Sequence, residues 1–394
     1  MPFAVYMLGL AVFAQATSEF MLSGLVPDIA ADLGVSIPQA GFLTSAFAIG
    51  MVVGGPLLAI LTLRRPRRTA LVAFLVAFAA AHVVGALTDD YGVLLATRIV
   101  GALANAGFWA VAAGAAVGMV EPGAKARAMS VVLGGVTLAC VAGVPGGAVL
   151  GQLWGWRSAF WAVAGLSVAG LVAVLASIPA GRPDAPATGL RAELRELVGP
   201  QLLTAYAMNA LVQGATFCTF TYLAPLLTEV SGYGDGWVPA MLVLFGLGAF
   251  VGITVGGRIA DARPYTVLLA GMSALTLGWA VLALSAGGAV AVFALVFVQG
   301  MLAFGIAPAL TSRTFYLAGG APTLAGGFLT AAFNVGNTAG PWFGGLTIDA
   351  GLGFRAPVWT SALMMAVALG TLGLAAVLRR REERRQETPV TAAV

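Results

Sequence analysis

The chain has 394 residues, of which 60% are hydrophobic and 9% charged, with a net charge of +4. A soluble globular protein carries about 25% charged residues, so this composition excludes an ordinary soluble domain and indicates an integral membrane protein. The basic residues cluster in short segments between apolar runs, a topology signal that argues against a nucleic-acid-binding surface.

Apolar runs fall at 3–26, 39–62, 69–88, 93–118, 128–151, 158–178, 201–228, 237–257, 265–286, 289–312, 321–348 and 355–378. Each is long enough to cross about 30 Å of hydrocarbon at about 1.5 Å per residue. Transmembrane strands would instead give segments of about ten residues with alternating polarity. The pattern predicts an all-α membrane protein of twelve transmembrane helices, with both termini on one side. The opening Met1-Pro-Phe-Ala-Val-Tyr6 has no basic region and no cleavage site, so it is expected to begin the first span and not a removed signal peptide. With the termini in the cytoplasm, only Arg157 and Arg355 fall on the far side and Arg98 within a span, leaving seventeen of the twenty basic residues cytoplasmic. That asymmetry predicts a multi-pass protein of the inner (plasma) membrane with both ends in the cytoplasm.

In the first span Gln15, Ser18, Glu19, Leu22 and Ser23 follow the i, i+3, i+4, i+7, i+8 spacing and share one helix face. Glu19 is the one carboxylate placed inside a span. Ionised side chains are costly in hydrocarbon, so such a group faces a cavity or a partner and marks an ion or substrate path. A carboxyl that water reaches from alternate sides can carry a proton across. The plainer alternative is a hydrated Glu19 near the outer helix end. Asp28 and Asp32 follow Pro27 at that surface and read as surface or gate residues, Asp28 alone being a candidate for the proton path.

His82 in the third span reads as a packed histidine. In the fourth span Arg98, Ala102, Asn105 and Trp109 share a face. An arginine there needs a carboxylate, carbonyls or water, unless it snorkels to the outer headgroups. The fifth span carries Gly143-Val-Pro145-Gly146-Gly147-Ala-Val-Leu-Gly151, which permits a bend and close helix approach. Trp154-Gly-Trp-Arg-Ser-Ala-Phe-Trp161 then reads as an interfacial anchor.

Residues 179–200 form the longest internal connection: a Pro-rich linker followed by Leu190–Val198, an amphipathic cytoplasmic helix by its pattern. The expected organisation is a six-helix half at 1–178, the linker at 179–200, a second half at 201–378 and a disordered cytoplasmic tail at 379–394. The halves look related: Arg65-Pro66 before the third span matches Arg263-Pro264 before the ninth, at an offset of 198 residues. In the seventh span Tyr206, Asn209, Gln213, Phe217 and Phe220 share a face suited to a small amphipathic aromatic compound. Gln299 in the tenth span and Asn334 and Asn337 in the eleventh are further substrate candidates, with interhelical hydrogen bonding as the alternative. Cys140, Cys218 and the single His82 make no metal pattern, so no metal is expected.

The Gly143-x-Pro-Gly-Gly-x-x-x-Gly151 stretch followed by Gly-Trp-Arg-x-x-Phe resembles the span-five antiporter motif of the major facilitator superfamily, in its twelve-span drug:proton antiporter family. Gly257-Arg-Ile-Ala-Asp261 with Arg263 resembles that family's cytoplasmic gating motif. The first-half copy departs from it, with Leu63 in place of the acid and Pro66 in place of a glycine. Thr17-Ser-Glu-Phe, Gly24-Leu-Val-Pro-Asp and Ala104-Asn-Ala-Gly-Phe-Trp-Ala look most like the chloramphenicol-efflux branch. The resemblance implies two pseudo-symmetric six-helix halves, a central cavity lined by spans one, four, seven and ten, and a monomer in the bilayer. It also implies that Arg98 takes part in proton transfer with Glu19 as its counter-charge. The expected function is proton-coupled export of a small amphipathic drug, chloramphenicol first, with a sugar or nucleoside exporter as the alternative. No Walker-type phosphate loop, HExxH or GxSxG stretch occurs, so neither ATP nor another cofactor is expected and an enzyme is disfavoured.

Overall fold

The computed structural model describes residues 1–62, 65–121, 125–178, 199–260, 264–317 and 322–387. The described residues form helices in twelve successive segments and no strand. The first runs Phe3–Phe20, tightens into a 3-10 turn at Met21–Gly24 and resumes as Val26–Leu33. The second, third and fourth are Ile37–Thr62, Arg67–Leu87 and Tyr91–Gly118. The fifth comprises Lys125–Leu138, a π-helical turn at Ala139–Gly143 and Val144–Trp154. The sixth is Arg157–Ser177, and the seventh Pro200–Thr221, bent by 52° into Leu223–Val230. The eighth and ninth are Val238–Ala260 and Pro264–Ser285. The tenth is Ala289–Gly305 with Ala307–Leu317, followed by Pro322–Asp349 and Ala356–Glu387.

Ten described helices are long and apolar enough to cross a membrane, or eleven with the bent seventh segment. The remaining segment, Pro322–Asp349, has 28 residues, ample length, but Asn334, Asn337, Pro341 and Trp342 lower its mean hydropathy. The fifth segment, whose glycines and proline permit a bend, carries a π turn that ends just before Pro145, a residue with no N–H to offer an α-helical ladder. The tail differs from expectation. The twelfth helix continues to Glu387, because Arg379 to Glu387 are all good helix formers with no Gly or Pro among them. The linker with its Leu190–Val198 stretch, and Leu63, Arg64, Asp261 and Arg263, lie outside the described residues.

Glycines set the register between neighbouring helices. A Cβ on Gly143, Gly147 or Gly151 of the fifth segment would meet Thr17, Met21 or Leu25 of the first, at 2.1, 3.2 and 2.3 Å. A Cβ on Gly336, Gly340 or Gly344 of the eleventh would meet Ala210, Gly214 or Cys218 of the seventh, at 2.2, 2.2 and 3.0 Å. Every glycine in both sets lies 126 positions after its partner. The first and fifth segments therefore pack in the same register as the seventh and eleventh, the small-residue seam expected where helices associate without a hydrophobic driving force. That identity is direct structural support for two related six-helix halves.

Between the halves, close contacts gather toward the end that holds Arg157 and Arg355. Gly24 sits against Leu242, and Gly246 against Cys140. Tyr222 fits between Gly41 and Gly345 and donates its hydroxyl to the Pro341 carbonyl at 2.9 Å. Ser45 donates to the Thr338 carbonyl at 2.8 Å. At the same end Arg157 pairs with Asp32 and Asp89 and donates to the Thr88 carbonyl, while Trp156 Nε1 donates to Asp32 at 3.0 Å. This clasp ties together three connections of the N-terminal half.

Two predictions follow from this packing. Gly340→Val drives a side chain into the Gly214 carbonyl, so it should cost about 1–3 kcal/mol and lower Tm in detergent, whereas Gly146→Ala, which meets nothing within 4 Å, should leave Tm unchanged. Hydrogen bonds from Arg157 and Trp156 hold the Asp32 carboxyl below the usual carboxylate range. A lowered folded-state value adds stability above the unfolded value and loses it as pH falls through the folded one. The Tm difference between wild type and Asp32→Asn should therefore be constant from about pH 5 to 8 and shrink below about pH 4.

Candidate functional site

Glu19 lies in the last turn of the first helix, where α-helical geometry gives way to the 3-10 turn. Its carboxyl opens onto a small cavity lined by Phe20, Thr44, Phe47, Ala48, Phe217 and Asn337. The cavity has room for about one water molecule, and its walls come from both halves. Phe20 of one half and Phe217 of the other stack across it, with ring centroids 5.1 Å apart and planes at 27°. Asn105 lies beside the carboxyl, although neither of its amide atoms has a hydrogen-bond partner of good geometry. Cys140, in the π turn of the fifth segment, is near enough to feel the Glu19 charge.

Arg98 is 1% exposed, which rules out outward snorkelling. Its Nη1 donates to Ser18 Oγ at 2.9 Å and its Nη2 to the Ser18 carbonyl at 3.0 Å. The Phe47 ring covers the guanidinium, 4.3 Å from Cζ. Arg98 and Glu19 act on each other electrostatically, yet they form no direct ion pair among the described residues. The arginine grips the residue next to the acid. His82 is packed, as expected, with its ring centroid 4.3 Å from that of Phe78 and 5.7 Å from that of Phe160. It also has a polar partner that spacing could not show: Nε2 lies 2.6 Å from Ser18 Oγ.

Gln15, one turn before Glu19, is fully buried with both amide atoms unpartnered. Asn334 donates to the Thr330 carbonyl at 3.0 Å and keeps a bare Oδ1, as does Asn337. Gln213 packs against Gly336. Phe220 lines a second small cavity with Thr219, Leu223, Phe245, Trp279 and Val296, inside the C-terminal half. Tyr206 and Asn209 share the helix face of Phe217 but not its site. Tyr206 clusters with Leu202, Leu329 and Ala332, and Asn209 donates to Thr314 of the tenth segment at 3.2 Å. Gln299 donates to the Leu275 carbonyl at 3.3 Å within the C-terminal half. Trp109 packs against the hydrophobic clusters of the N-terminal half.

Asp28 sits on the short helix after the 3-10 turn, away from the Glu19 cavity. Its carboxyl is pushed above the usual carboxylate range by burial and by Asp235 facing it from the other half. Gly257 lies in the eighth helix, within the resemblance to the gating motif. Spacing did not point to Phe20, Thr44, Phe47 or Ala48 as cavity residues. The polar pair Thr44-Ser45 in an otherwise apolar helix was the available signal for the second segment.

The sequence matches the Major Facilitator Superfamily model over residues 8–323 and 236–393. It is 52% identical over 372 residues, covering 94% of this chain and 95% of the relative, to a chloramphenicol resistance protein of Streptomyces lividans. Identity is 30% over 383 residues, covering 93% and 89%, to a chloramphenicol efflux pump of Mycobacterium tuberculosis (strain CDC 1551 / Oshkosh). The fold is similar to the crystal structure of a bacterial homolog of the human lysosomal transporter Spinster in an inward-facing, unoccupied conformation. That match has a TM-score of 0.75 at 18% identity and covers 95% of this chain and 97% of the other. With twelve helical segments, related halves and a charged centre where the halves meet, the chain belongs to the Major Facilitator Superfamily of membrane transporters.

Proposed function

We propose that this protein is a proton-coupled efflux antiporter that exports a small amphipathic drug, with chloramphenicol as its substrate. The observation that carries the mechanism is the placement of Glu19, a carboxylate on a cavity walled by both halves and faced by a cross-half aromatic stack. Only a group at such an interface can meet water from alternate sides as the halves rock. The substrate assignment is supported by the 52% identity to the chloramphenicol resistance protein, over nearly the whole of both chains.

In this reading the substrate enters from the Arg-rich, cytoplasmic side, slides between Phe20 and Phe217 and meets the bare amides of Asn337, Asn105 and Gln15. After the halves rock, a proton taken up by Glu19 from outside helps to expel it. Arg98, held on the neighbouring Ser18, supports the ionised carboxylate during the loaded step without neutralising it through contact. An inward charge falling through 100 mV supplies about 2.3 kcal/mol, and each unit of pH gradient about 1.4 kcal/mol. Concentrating a neutral solute a hundredfold requires about 2.7 kcal/mol, so one proton per cycle suffices and no ATP or other cofactor is needed. The protein would act as a monomer in the inner membrane with both termini cytoplasmic, as its Arg distribution favours. A sugar or nucleoside exporter is the second reading, favoured by the unpartnered amide atoms of Gln15 and Asn105, which suit a hydroxylated solute.

Labelled chloramphenicol should accumulate in inside-out vesicles containing the wild-type protein, and the accumulation should collapse with an uncoupler and in Glu19→Gln. Accumulation that persists in Glu19→Gln would move the proton site elsewhere. No accumulation by a folded wild type would overturn the chloramphenicol assignment and turn the search to sugars and nucleosides. Leu at Phe20 or Phe217 removes the cross-half stack, and each substitution should raise KM for chloramphenicol about tenfold, the loss of roughly 1.4 kcal/mol of ring stacking and apolar contact.

A further inference from the structure

His82 is a buried side chain that the antiport cycle leaves unused. Its Nδ1 lies 2.7 Å from the Phe78 carbonyl oxygen. A carbonyl only accepts, so Nδ1 carries the hydrogen, and in the neutral ring Nε2 is bare. Nε2 therefore accepts from the Ser18 hydroxyl at 2.6 Å. With its proton committed to His82, Ser18 Oγ turns its lone pairs to Arg98, whose Nη1 donates to it at 2.9 Å while Nη2 donates to the Ser18 carbonyl at 3.0 Å. Every donor direction in the chain from Arg98 through Ser18 and His82 to Phe78 is thus set. A second proton on His82 would reverse the middle link and place a cation beside the guanidinium.

Three further features show what the chain controls. All three side chains are buried, at 0%, 1% and 3% exposure for Ser18, Arg98 and His82, so water does not substitute for any link. Arg98 Nε has no partner, so the grip on Ser18 and the Phe47 face carry the guanidinium. Glu19 is the next residue on the same helix. The titratable and charged groups facing the cluster are Glu19 from the first segment, Arg98 from the fourth and Cys140 from the fifth. The second, sixth, seventh and eleventh segments present Thr44, Phe47, Phe160, Phe217 and Asn337, none of them charged.

We propose that His82, acting through Ser18, is a positioning residue for Arg98. It holds the guanidinium on Ser18 and off the Glu19 carboxylate, and so sets the pH range over which substrate and proton exchange. The proposal rests on the antiport reading of Glu19. Without the His82 acceptor, the Ser18 hydroxyl turns to a carbonyl of its own helix and its lone pairs leave Arg98 Nη1, so that edge of the guanidinium is free to turn to Glu19 while Nη2 keeps the Ser18 carbonyl. Pairing favours the ionised acid, so substrate competes successfully against protons to a lower pH.

The test is the pH dependence of labelled chloramphenicol binding to the purified full-length protein. His82→Leu and Ser18→Ala should each move the midpoint about 0.5 pH unit lower, roughly threefold in proton competition. The double variant should move it no further than either single one, and His82→Gln, which offers both a donor and an acceptor, should restore the wild-type midpoint. Ser18→Ala removes a single oxygen and carries the test if His82→Leu does not fold. An unshifted midpoint in Ser18→Ala and His82→Leu, or shifts that add in the double variant, would overturn the proposal. A flat profile in the wild type would overturn the antiport reading, and the proposal with it.

Discussion

A guanidinium enclosed by apolar helices must find its hydrogen-bond acceptors within the bundle, because leaving it unsatisfied would cost several kcal/mol. In this protein Arg98 meets that demand on one residue, using both the hydroxyl and the backbone carbonyl of Ser18, with the Phe47 ring over its face. The solution fixes much else. The first and fourth segments must approach at Ser18, which places Glu19 beside the buried cation but out of ion-pair contact. The second segment must present Phe47, which brings Thr44 and Ala48 to the same cavity. A carboxylate that feels a cation without being locked to it can give up its proton and recover it, as the proposed antiport requires.

The glycine seams supply the frame on which this centre can move. In each half they hold two helices in one register, so close that a single Cβ would collide with the neighbouring helix at most positions. Such packing makes each half stiff, and relative motion is then left to the surface between the halves. There the second and eleventh segments lie against each other, joined by the Tyr222 ring between Gly41 and Gly345 and by Ser45 on the Thr338 carbonyl, while Gly246 meets Cys140, Gln152 donates to the Asp235 carbonyl and Phe20 stacks on Phe217. All of them join side chains or backbones of separate helices, so they can part without unfolding a helix. Asp28 and Asp235, facing each other across that surface, add a repulsion that weakens it.

How much was legible in the sequence varies with the range of the interaction. The twelve helical segments and the polar face of Gln15, Ser18 and Glu19 could be read directly, because hydrophobic length and helical period are local properties. The family was legible through the fifth-segment glycines, whose spacing is set by their seam on the first segment. Phe20 was not, because periodicity says which residues share a face and not which face turns inward. Tyr206 and Asn209 share the face of Phe217 but lie up to about 16 Å away along the helix axis at 1.5 Å per residue, so a common face did not make a common site. The partnership of Ser18 with His82, 64 residues apart, left no local trace at all.

Proton release on substrate binding tests the central claim most directly. Chloramphenicol added to the purified protein in weakly buffered detergent, near neutral pH, should acidify the solution by up to one proton per molecule bound in the wild type, and by none in Glu19→Gln that still binds the drug. Equal release from both proteins would contradict the account, since the exchanged proton would then belong to a group other than Glu19.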